Sequence, residues 1–257
     1  MVLRDRGKAH VVERSDKVWK SASLVRAFLE GVRGGIPFAA EQIDVMLRVV
    51  AAAGRPVGSF ADLGCGSGVL ARALLTQHPH AHGTLVDFSE PMLEEAHVQL
   101  ANHAPRPCFV VGDLGTAAWV DTVAERAPFD VVVSGYAIHH LPDDRKRQLY
   151  AEIFALLAPG GTFVNIEHVA SANARLEAIA DDVMIDSLYA FHLKQGTGKT
   201  RAQVADEFVH RPDKAANILA PVERQCEWLR AVGFEDVDCY FKVFELAVFG
   251  GRRLRGR

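Results

Sequence analysis

The chain has 257 residues, of which 49% are hydrophobic, and its formal net charge is −3. This length and composition are typical of one globular domain and exclude a disordered chain. The small negative charge argues against a protein that wraps a nucleic-acid backbone, because such a protein needs a basic surface. The four cysteines are scattered and form no C-x-x-C pair, so neither a zinc site nor a disulfide framework is indicated.

The two chain ends and the apolar runs bear on where the protein works. No N-terminal segment has the form of a signal peptide, and no apolar run reaches the length of a membrane span. We therefore expect a cytoplasmic protein with reduced thiols. Residues 1–17 are polar and are expected to be frayed. The basic residues near the other end are interpreted as a solvated tail rather than a phosphate-binding arm. They are Arg252, Arg253, Arg255 and Arg257.

Two helices are the first elements predicted in chain order. Apolar residues recur at helical spacing from Trp19 to Val32, and the segment 34–37, Gly-Gly-Ile-Pro, ends this helix. A second helix is predicted over 38–53. Both precede the main pattern, so residues 1–54 are expected to form a cap on the core.

Strands and helices then alternate, which implies a parallel sheet covered on both faces. Ser89 is predicted as the N-cap of the helix that runs through Leu100. After the first strand near residue 60, strands are predicted at 84–87, 108–111, 129–134 and 162–166, and a terminal hairpin at 237–241 and 243–249. Later helices are predicted at 117–125, 143–157, 172–192, 200–210 and 222–232.

A glycine-rich turn follows the first predicted strand. Gly64, Gly66 and Gly68 stand at alternate positions, after the apolar pair Phe60-Ala61 and the acid Asp62. Glycine is required where the backbone takes a positive φ or where a ligand comes within contact distance. The turn therefore offers backbone N–H groups and a helix N-terminus to a ligand. The acid repels a pyrophosphate but can hold an ammonium group, which separates this turn from the G-x-G-x-x-G of dinucleotide-binding folds.

These residues resemble the class I S-adenosylmethionine-dependent methyltransferases, over roughly residues 36–250. Five features in order carry the resemblance: DLGCGSG at Asp62–Gly68, the acid Asp87 at a strand end, Gly112-Asp113, SGYAIHHL at Ser134–Leu141 and LAPGGTF at Leu157–Phe163. The resemblance implies an α/β fold with a Rossmann-like, doubly wound, seven-stranded sheet, mostly parallel with an antiparallel last strand. It implies one methyltransferase domain over 1–257, with a helical insert or lid at 171–220.

The same resemblance implies S-adenosyl-L-methionine as the cofactor. Asp62 and the turn at Gly64–Gly68 would hold its methionine moiety, and Asp87 would accept both ribose hydroxyls. Within the turn, Cys65 is interpreted as a tolerated small residue rather than a reactive thiol. The other implied contacts are Phe88 and Met92 beside the adenine, for which core packing is the alternative, Asp113 and Leu114 at its amino group, and Ser134 and Tyr136 at the sulfonium and methyl group.

Polar residues follow the fourth and fifth strands, at the sheet edge where ligands bind in this fold class. His139, Glu167 and His168 are the candidate catalytic residues, and Asn165 is a further polar candidate. We expect at most one member of the pair His139-His140 to point into a site, with a structural role as the alternative. One member of Glu167-His168 is expected to face the substrate and act as a base.

The insert at 171–220 is expected to lie over the site. Residues 211–214, Arg-Pro-Asp-Lys, together with Asn217, either close over the substrate or form a solvated loop. Three further residues either line a lid face or pack internally: Tyr189, Phe191 and His192.

We expect a small-molecule acceptor, no nucleic-acid or membrane partner, and a monomer or homodimer. No metal is expected, and His78, His80 and His82 are interpreted as part of a solvated turn. The sequence does not indicate whether the methyl group goes to oxygen, nitrogen, sulfur or carbon. Two other functions also stay open: a nicotinamide-dependent oxidoreductase, which does not explain Asp62, and a non-catalytic module that binds S-adenosylmethionine.

Overall fold

Short apolar strands alternate with helices along most of the chain, as the sequence pattern predicts. The computed structural model describes residues 15–31, 33–103 and 107–254. The strands are β1 (Ser59–Leu63), β2 (His82–Asp87), β3 (Cys108–Val111), β4 (Phe129–Gly135), β5 (Leu157–His168), β6 (Glu235–Val243) and β7 (Leu246–Arg252). The α-helices are α1 (Ala22–Gly31), α2 (Ala39–Ala52), α3 (Val69–Gln77), α4 (Glu90–Gln99), α5 (Trp119–Val123), α6 (Asp143–Leu156), α7 (Ala174–Lys194), α8 (Arg201–His210) and α9 (Val222–Val232).

The seven strands form one sheet in the order β3-β2-β1-β4-β5-β7-β6. The pairs among β1 to β5 are parallel, whereas β7 runs antiparallel to both β5 and β6. This topology confirms the predicted doubly wound sheet with an antiparallel last strand. The strand order reverses between β1 and β4, and ligands bind in the crevice outside the carboxyl ends of strands at such a switch point.

The central strand β4 is apolar on both sides because helices cover both faces of the sheet. Val132 lies in one core cluster with Tyr150 of α6, while Val131 and Val133 lie in the other with Leu74 of α3. All five of these side chains are at most 2% exposed. The residues that follow β4 and β5 therefore project from a rigidly packed edge.

The predicted start of the fifth strand is wrong. Strand β5 begins at Leu157 rather than at Thr162, and the proline and glycines between them are part of it. The cause is pairing with the chain beyond β7: the Gly160 amide donates to the Arg253 carbonyl at 2.5 Å, and the Arg253 amide donates to the Gly161 carbonyl at 2.9 Å.

Arg253 also corrects the interpretation of the basic tail as solvated. Its Nη1 donates to the carbonyl oxygens of Phe154, Ala155 and Leu157 at 2.8–3.1 Å, so it satisfies the C-terminal carbonyls of α6. Arg255 and Arg257 lie outside the described residues.

The cap and the insert are helical, as predicted. The first helix begins at Ala22 rather than Trp19, because residues 15–20 form a 3-10 helix instead. The frayed segment was expected at 1–17, of which 1–14 lie outside the described residues. In the insert, Thr200 and Gln203 form a capping box at α8. Within the described ranges, no helix is both long and apolar enough to cross a bilayer.

Candidate active site

The glycine turn between β1 and α3 forms one wall of a large cavity at the carboxyl edge of the sheet. Gly64, Gly66 and Gly68 have φ values of 64°, 51° and 78°, in the left-handed region that glycine tolerates. A Cβ at Gly64 would overlap the Cβ of Ala137, which shows how closely the turn after β1 approaches the turn after β4. The turn thus brings bare backbone to the cavity.

Asp62 and Asp87 flank this turn, and both line the cavity. The Asp62 carboxylate accepts the Ala71 amide of α3 at 3.0 Å and is 1% exposed. Asp87 accepts the Ser89 amide at 2.8 Å on one oxygen and the Gly66 amide at 2.9 Å on the other. A carboxylate has about four acceptor positions, and the Phe88 amide also donates to this one, so one position remains for a hydroxyl group of a vicinal diol.

Burial is the largest influence on the pKa of Asp87 and raises it, although hydrogen bonds from the Ser89, Gly66 and Phe88 amides oppose the rise. Ser89 is the N-cap of α4, as predicted, and its hydroxyl accepts the Met92 amide. Burial and the neighbouring carboxylates hold the pKa of the Cys65 thiol well above its usual range, so the thiol stays protonated. This fits a packing role for Cys65.

The structure brings together most of the residues expected to contact the cofactor. Those that line the cavity are Asp62, Gly64, Cys65, Gly66, Asp87, Phe88, Met92, Asp113, Leu114 and Tyr136.

Two expected cofactor contacts lie elsewhere. The Ser134 side chain is fully buried and donates to the Leu63 carbonyl at 2.8 Å, so it links β4 to β1 instead of facing a methyl group. Gly68 is the N-cap of α3, and a Cβ there would lie 2.9 Å from Leu100 in the core. Gly68 is thus needed for the turn and for packing.

Three histidines, His139, His140 and His168, line the cavity and form what we call the histidine cluster. The ring centroids of His139 lie 4.0 Å from His140 and 5.6 Å from His168. The expectation that at most one of His139 and His140 faces a site is wrong, because both line the cavity. Both lie in the 3-10 turn at 138–140 that follows β4.

Glu167 forms hydrogen bonds with the histidine cluster and is itself fully buried. Its Oε1 lies 2.6 Å from His139 Nδ1 and accepts the His168 amide at 2.8 Å. Its Oε2 accepts the His139 amide at 3.1 Å and the Asn165 side-chain amide at 3.4 Å. Because every partner is a donor, the carboxylate is the form that fits, and His139 carries its proton on Nδ1. His139 Nε2 then has a lone pair.

Burial sets the charge states in this cluster. It lowers the pKa of His139 well below its usual value, and electrostatic interaction with His168, Lys146 and Arg211 adds to this effect. Burial, with His139, lowers the pKa of His140 to about 3, and His140 Nδ1 lies 3.2 Å from the Ala216 carbonyl. Burial raises the pKa of Glu167, opposed by the His168 amide. Both His139 and His140 are therefore neutral near pH 7.

Of the pair Glu167-His168, the histidine faces the cavity. His168 Nε2 lies 2.8 Å from Oε2 of Glu245, a residue of the turn between β6 and β7 that sequence reasoning missed. The antiparallel hairpin brings this turn to the carboxyl edge of the parallel strands. Glu245 lay inside the predicted strand 243–249, where an acid within an apolar run was the only local signal.

The insert and the N-terminal cap close the cavity. Arg211, Asp213 and Asn217 line it, as the closing-loop hypothesis predicts, whereas Lys214 instead pairs with Asp181 at 3.1 Å. The lid residues expected from the sequence pack internally: they are Tyr189, Phe191 and His192, and none lines the cavity. Side chains that sequence reasoning missed line it: Trp19, Phe28, Asp181, Met184, Phe208 and Phe244.

The chain is similar in sequence to known proteins. Residues 60–161 match the family model described as a methyltransferase domain. The chain is 25% identical to a carboxy-S-adenosyl-L-methionine synthase of Aeromonas hydrophila, over 86% of this chain and 84% of that protein. It is 34% identical to a demethylmenaquinone methyltransferase of Leptospira interrogans, over 47% of each.

Among solved structures, human N-acetylserotonin methyltransferase in complex with S-adenosylmethionine superposes with a TM-score of 0.60 at 16% identity. The alignment covers 96% of this chain but 60% of that one, so this chain spans under two thirds of that structure. The methyltransferase domain matched at residues 60–161, the strand order and the glycine turn together support a class I S-adenosylmethionine-dependent methyltransferase. The cofactor of such enzymes is S-adenosylmethionine, and the bare backbone at Gly64 and the remaining acceptor position of Asp87 suit it.

Proposed function

We propose that this protein transfers a methyl group from S-adenosylmethionine to a small-molecule acceptor by in-line displacement. The observation that carries the proposal is the His139–Glu167 pair, because it lies in the same cavity as the glycine turn and Asp87. Walls from the cap and from the insert, among them Trp19 and Phe208, favour a small acceptor over a polymer.

Most of the residues expected to hold the cofactor line the cavity. When bound, the cofactor supplies a methyl group on a positively charged sulfur, and the sulfur keeps the bonding electron pair as the methyl leaves. Asp62 and the glycine turn would hold its amino-acid end, and Asp87 its ribose. Orienting two reactants in this way can supply roughly 7–11 kcal/mol of the barrier.

His139 is the proposed general base. Its Nδ1–H is committed to Glu167, so Nε2 takes the acceptor's proton as the acceptor forms its bond to the methyl carbon. Glu167 then stabilises the imidazolium that forms, and it fixes the tautomer beforehand. The lowered pKa keeps His139 unprotonated at neutral pH. A positioned base of this kind contributes about 10²–10⁴-fold in rate.

The insert at 171–220 acts as a lid in this proposal, together with the N-terminal cap. The Ser89 hydroxyl donates to the Trp19 carbonyl at 2.6 Å, which ties the cap to the cofactor end. The backbone of Ile218 ties the insert to the histidine cluster, since its amide donates to the His139 carbonyl at 2.8 Å. Both contacts help to exclude water from the cavity.

We place this activity in the cytoplasm, carried out by a monomer or a homodimer. All four cysteines are free thiols, and burial raises the pKa of both Cys226 and Cys239. Unpaired thiols are typical of a reducing compartment. Size-exclusion chromatography with light scattering measures the oligomeric state.

Formation of carboxy-S-adenosylmethionine is a second candidate. The relative with that name aligns over 84% of its length, and Arg211 brings a guanidinium group to the cavity. Arginine suits a carboxylate, which a carboxyl donor would carry. Asp213 lies 3.4 Å from that guanidinium group and already pairs with it, which argues against the binding of a second carboxylate there. The nicotinamide-dependent alternative is set aside because the matched domain is a methyltransferase domain.

Calorimetry with S-adenosylhomocysteine, followed by a turnover assay on a panel of phenols, carboxylic acids, amines and thiols, tests the proposal. His139→Gln should leave S-adenosylhomocysteine affinity within about three-fold and lower turnover about 10²–10⁴-fold. Absence of cofactor binding, or unchanged turnover in His139→Gln, would overturn it.

Mass spectrometry of the cofactor product separates the two candidates, since only the second yields carboxylated S-adenosylmethionine. Binding with no turnover on any panel member favours the non-catalytic module.

A further inference from the structure

The hairpin between β6 and β7 delivers one carboxylate to the histidine cluster. Glu245 is 7% exposed, and its carbonyl accepts the Val169 amide at 2.8 Å just after the end of β5. The preceding residue, Phe244, has a φ of 51°, a left-handed conformation that is uncommon outside glycine. The backbone of the hairpin tip is therefore fixed against β5, and the Glu245 side chain starts from a defined place.

Glu245 fixes the orientation of the His168 ring. Burial alone would raise the pKa of Glu245, but hydrogen bonds from His168 and Ser171 outweigh it and hold that pKa below its usual value. The ionised carboxylate accepts the Nε2–H of His168 at 2.8 Å. Nδ1 is then the ring nitrogen of His168 that remains for a ligand.

The cavity thus contains two imidazoles, each oriented by its own carboxylate. Glu167 holds His139 and Glu245 holds His168, and the two ring centroids are 5.6 Å apart with planes inclined by 71°. A hydrogen bond from a ring nitrogen reaches about 2.8–3.0 Å. Two rings this close can therefore contact two neighbouring polar atoms of one small molecule.

The third histidine is held by a backbone carbonyl and not by a carboxylate. His140 Nδ1 is directed to the Ala216 carbonyl, and its ring lies 6.2 Å from that of Trp19. Aromatic side chains supply much of the remaining wall, namely Trp19, Phe28, Tyr136, Phe208 and Phe244. Such walls suit a flat ring.

We propose that Glu245 is a positioning residue for His168, and that His168 and His139 together select an acceptor with two oxygen atoms on adjacent carbons of a flat ring. In this arrangement, which rests on the proposed function, His139 contacts the oxygen that takes the methyl group. His168 binds the neighbouring oxygen and carries no part of the chemistry. An acceptor with a single oxygen loses the second contact.

The experiment compares catechol with phenol as binding probes for the full chain loaded with S-adenosylhomocysteine, using calorimetry. Catechol should bind about ten-fold more tightly than phenol, as one added hydrogen bond to an oriented group predicts. Glu245→Leu and His168→Asn should each bring this ratio close to one. Glu245→Gln keeps an acceptor oxygen for His168 Nε2–H and should restore most of the preference.

Glu223→Gln is the matched control, because Glu223 is a 69% exposed carboxylate paired with Lys242 of the same hairpin at 3.3 Å. It should keep the wild-type ratio. Unfolding midpoints show whether Glu245→Leu folds, and His168→Asn gives the same test without altering the hairpin. Equal affinity for the two probes, binding of neither, or an unchanged ratio in both variants would overturn the inference. Failure to bind S-adenosylhomocysteine at all would instead overturn the proposed function.

Discussion

The hydroxyl group of Tyr136 donates a hydrogen bond to Oε1 of Gln42 over 2.6 Å, joining the turn after β4 to helix α2 of the cap. Gln42 is 1% exposed and uses its side-chain nitrogen to donate to the Pro37 carbonyl at 2.9 Å. Tyr136 itself has a φ of 54° and lines the cavity. The cap is thereby tied directly to the wall of the candidate active site.

Tyr136→Phe should destabilise the protein, because it leaves the Gln42 oxygen buried with no hydroxyl donor. The expected loss is about 1–3 kcal/mol of unfolding free energy, measured by urea denaturation. Tyr240→Phe is the control, since the Tyr240 hydroxyl makes a longer bond of 3.3 Å to the Asp236 carbonyl in an exposed place. Equal losses in the two variants would contradict the role given to Gln42.

Gly64→Ala should abolish the close approach between the turns after β1 and β4. Gly196 has nearly the same φ, 65° against 64°, but a Cβ there meets nothing within 4 Å. Gly196→Ala therefore measures backbone strain alone, about 1–2 kcal/mol. Gly64→Ala should cost more, from overlap with Ala137, and should weaken S-adenosylhomocysteine binding. Similar unfolding midpoints for the two variants would show that the approach is not tight.

Asp87→Ala should weaken S-adenosylhomocysteine binding about 10–100-fold by calorimetry, because it removes charge-assisted acceptors at the proposed ribose position. It also leaves the Gly66 and Ser89 amides without their acceptor. Asp121→Ala, at an exposed position of α5, should keep the wild-type affinity. An unchanged affinity in Asp87→Ala would remove Asp87 from the binding site.

Acid should destabilise the histidine cluster through His140. A histidine whose folded pKa is depressed contributes stability that is fully present above its usual pKa and is lost as pH falls through the folded value. For His140 that window runs from 6.5 down to about 3, which corresponds to at most about 5 kcal/mol. The unfolding free energy should fall less between pH 7 and pH 4 in His140→Gln than in wild type.

The control for this pH dependence is His210→Gln, because the His210 side chain is 73% exposed. Its unfolding free energy should follow the wild-type profile. If His140→Gln followed that profile as well, burial of His140 would not be a source of acid sensitivity.

Local sequence patterns predicted the sheet and the glycine turn that lines the cavity because those features are local. A strand, a glycine turn and a helix follow one another within residues 57–69, and their chemistry is visible in one window. The rest depended on distant contacts. Ser134 was misplaced because nothing near it in sequence shows the Leu63 carbonyl that it meets. Glu245 was missed because it is 77 residues from His168.

The antiparallel course of β7 has a consequence for biosynthesis. A chain emerges from the ribosome N-terminus first and tends to fold in that order. The glycine turn, Asp87 and the His139–Glu167 pair are all made before residue 170, yet β7, which borders β5, and Glu245 come roughly 75 residues later. A nascent chain can therefore form the wall that contains the glycine turn and Asp87 early, while the wall that contains Glu245 stays unfinished until β7 has been made.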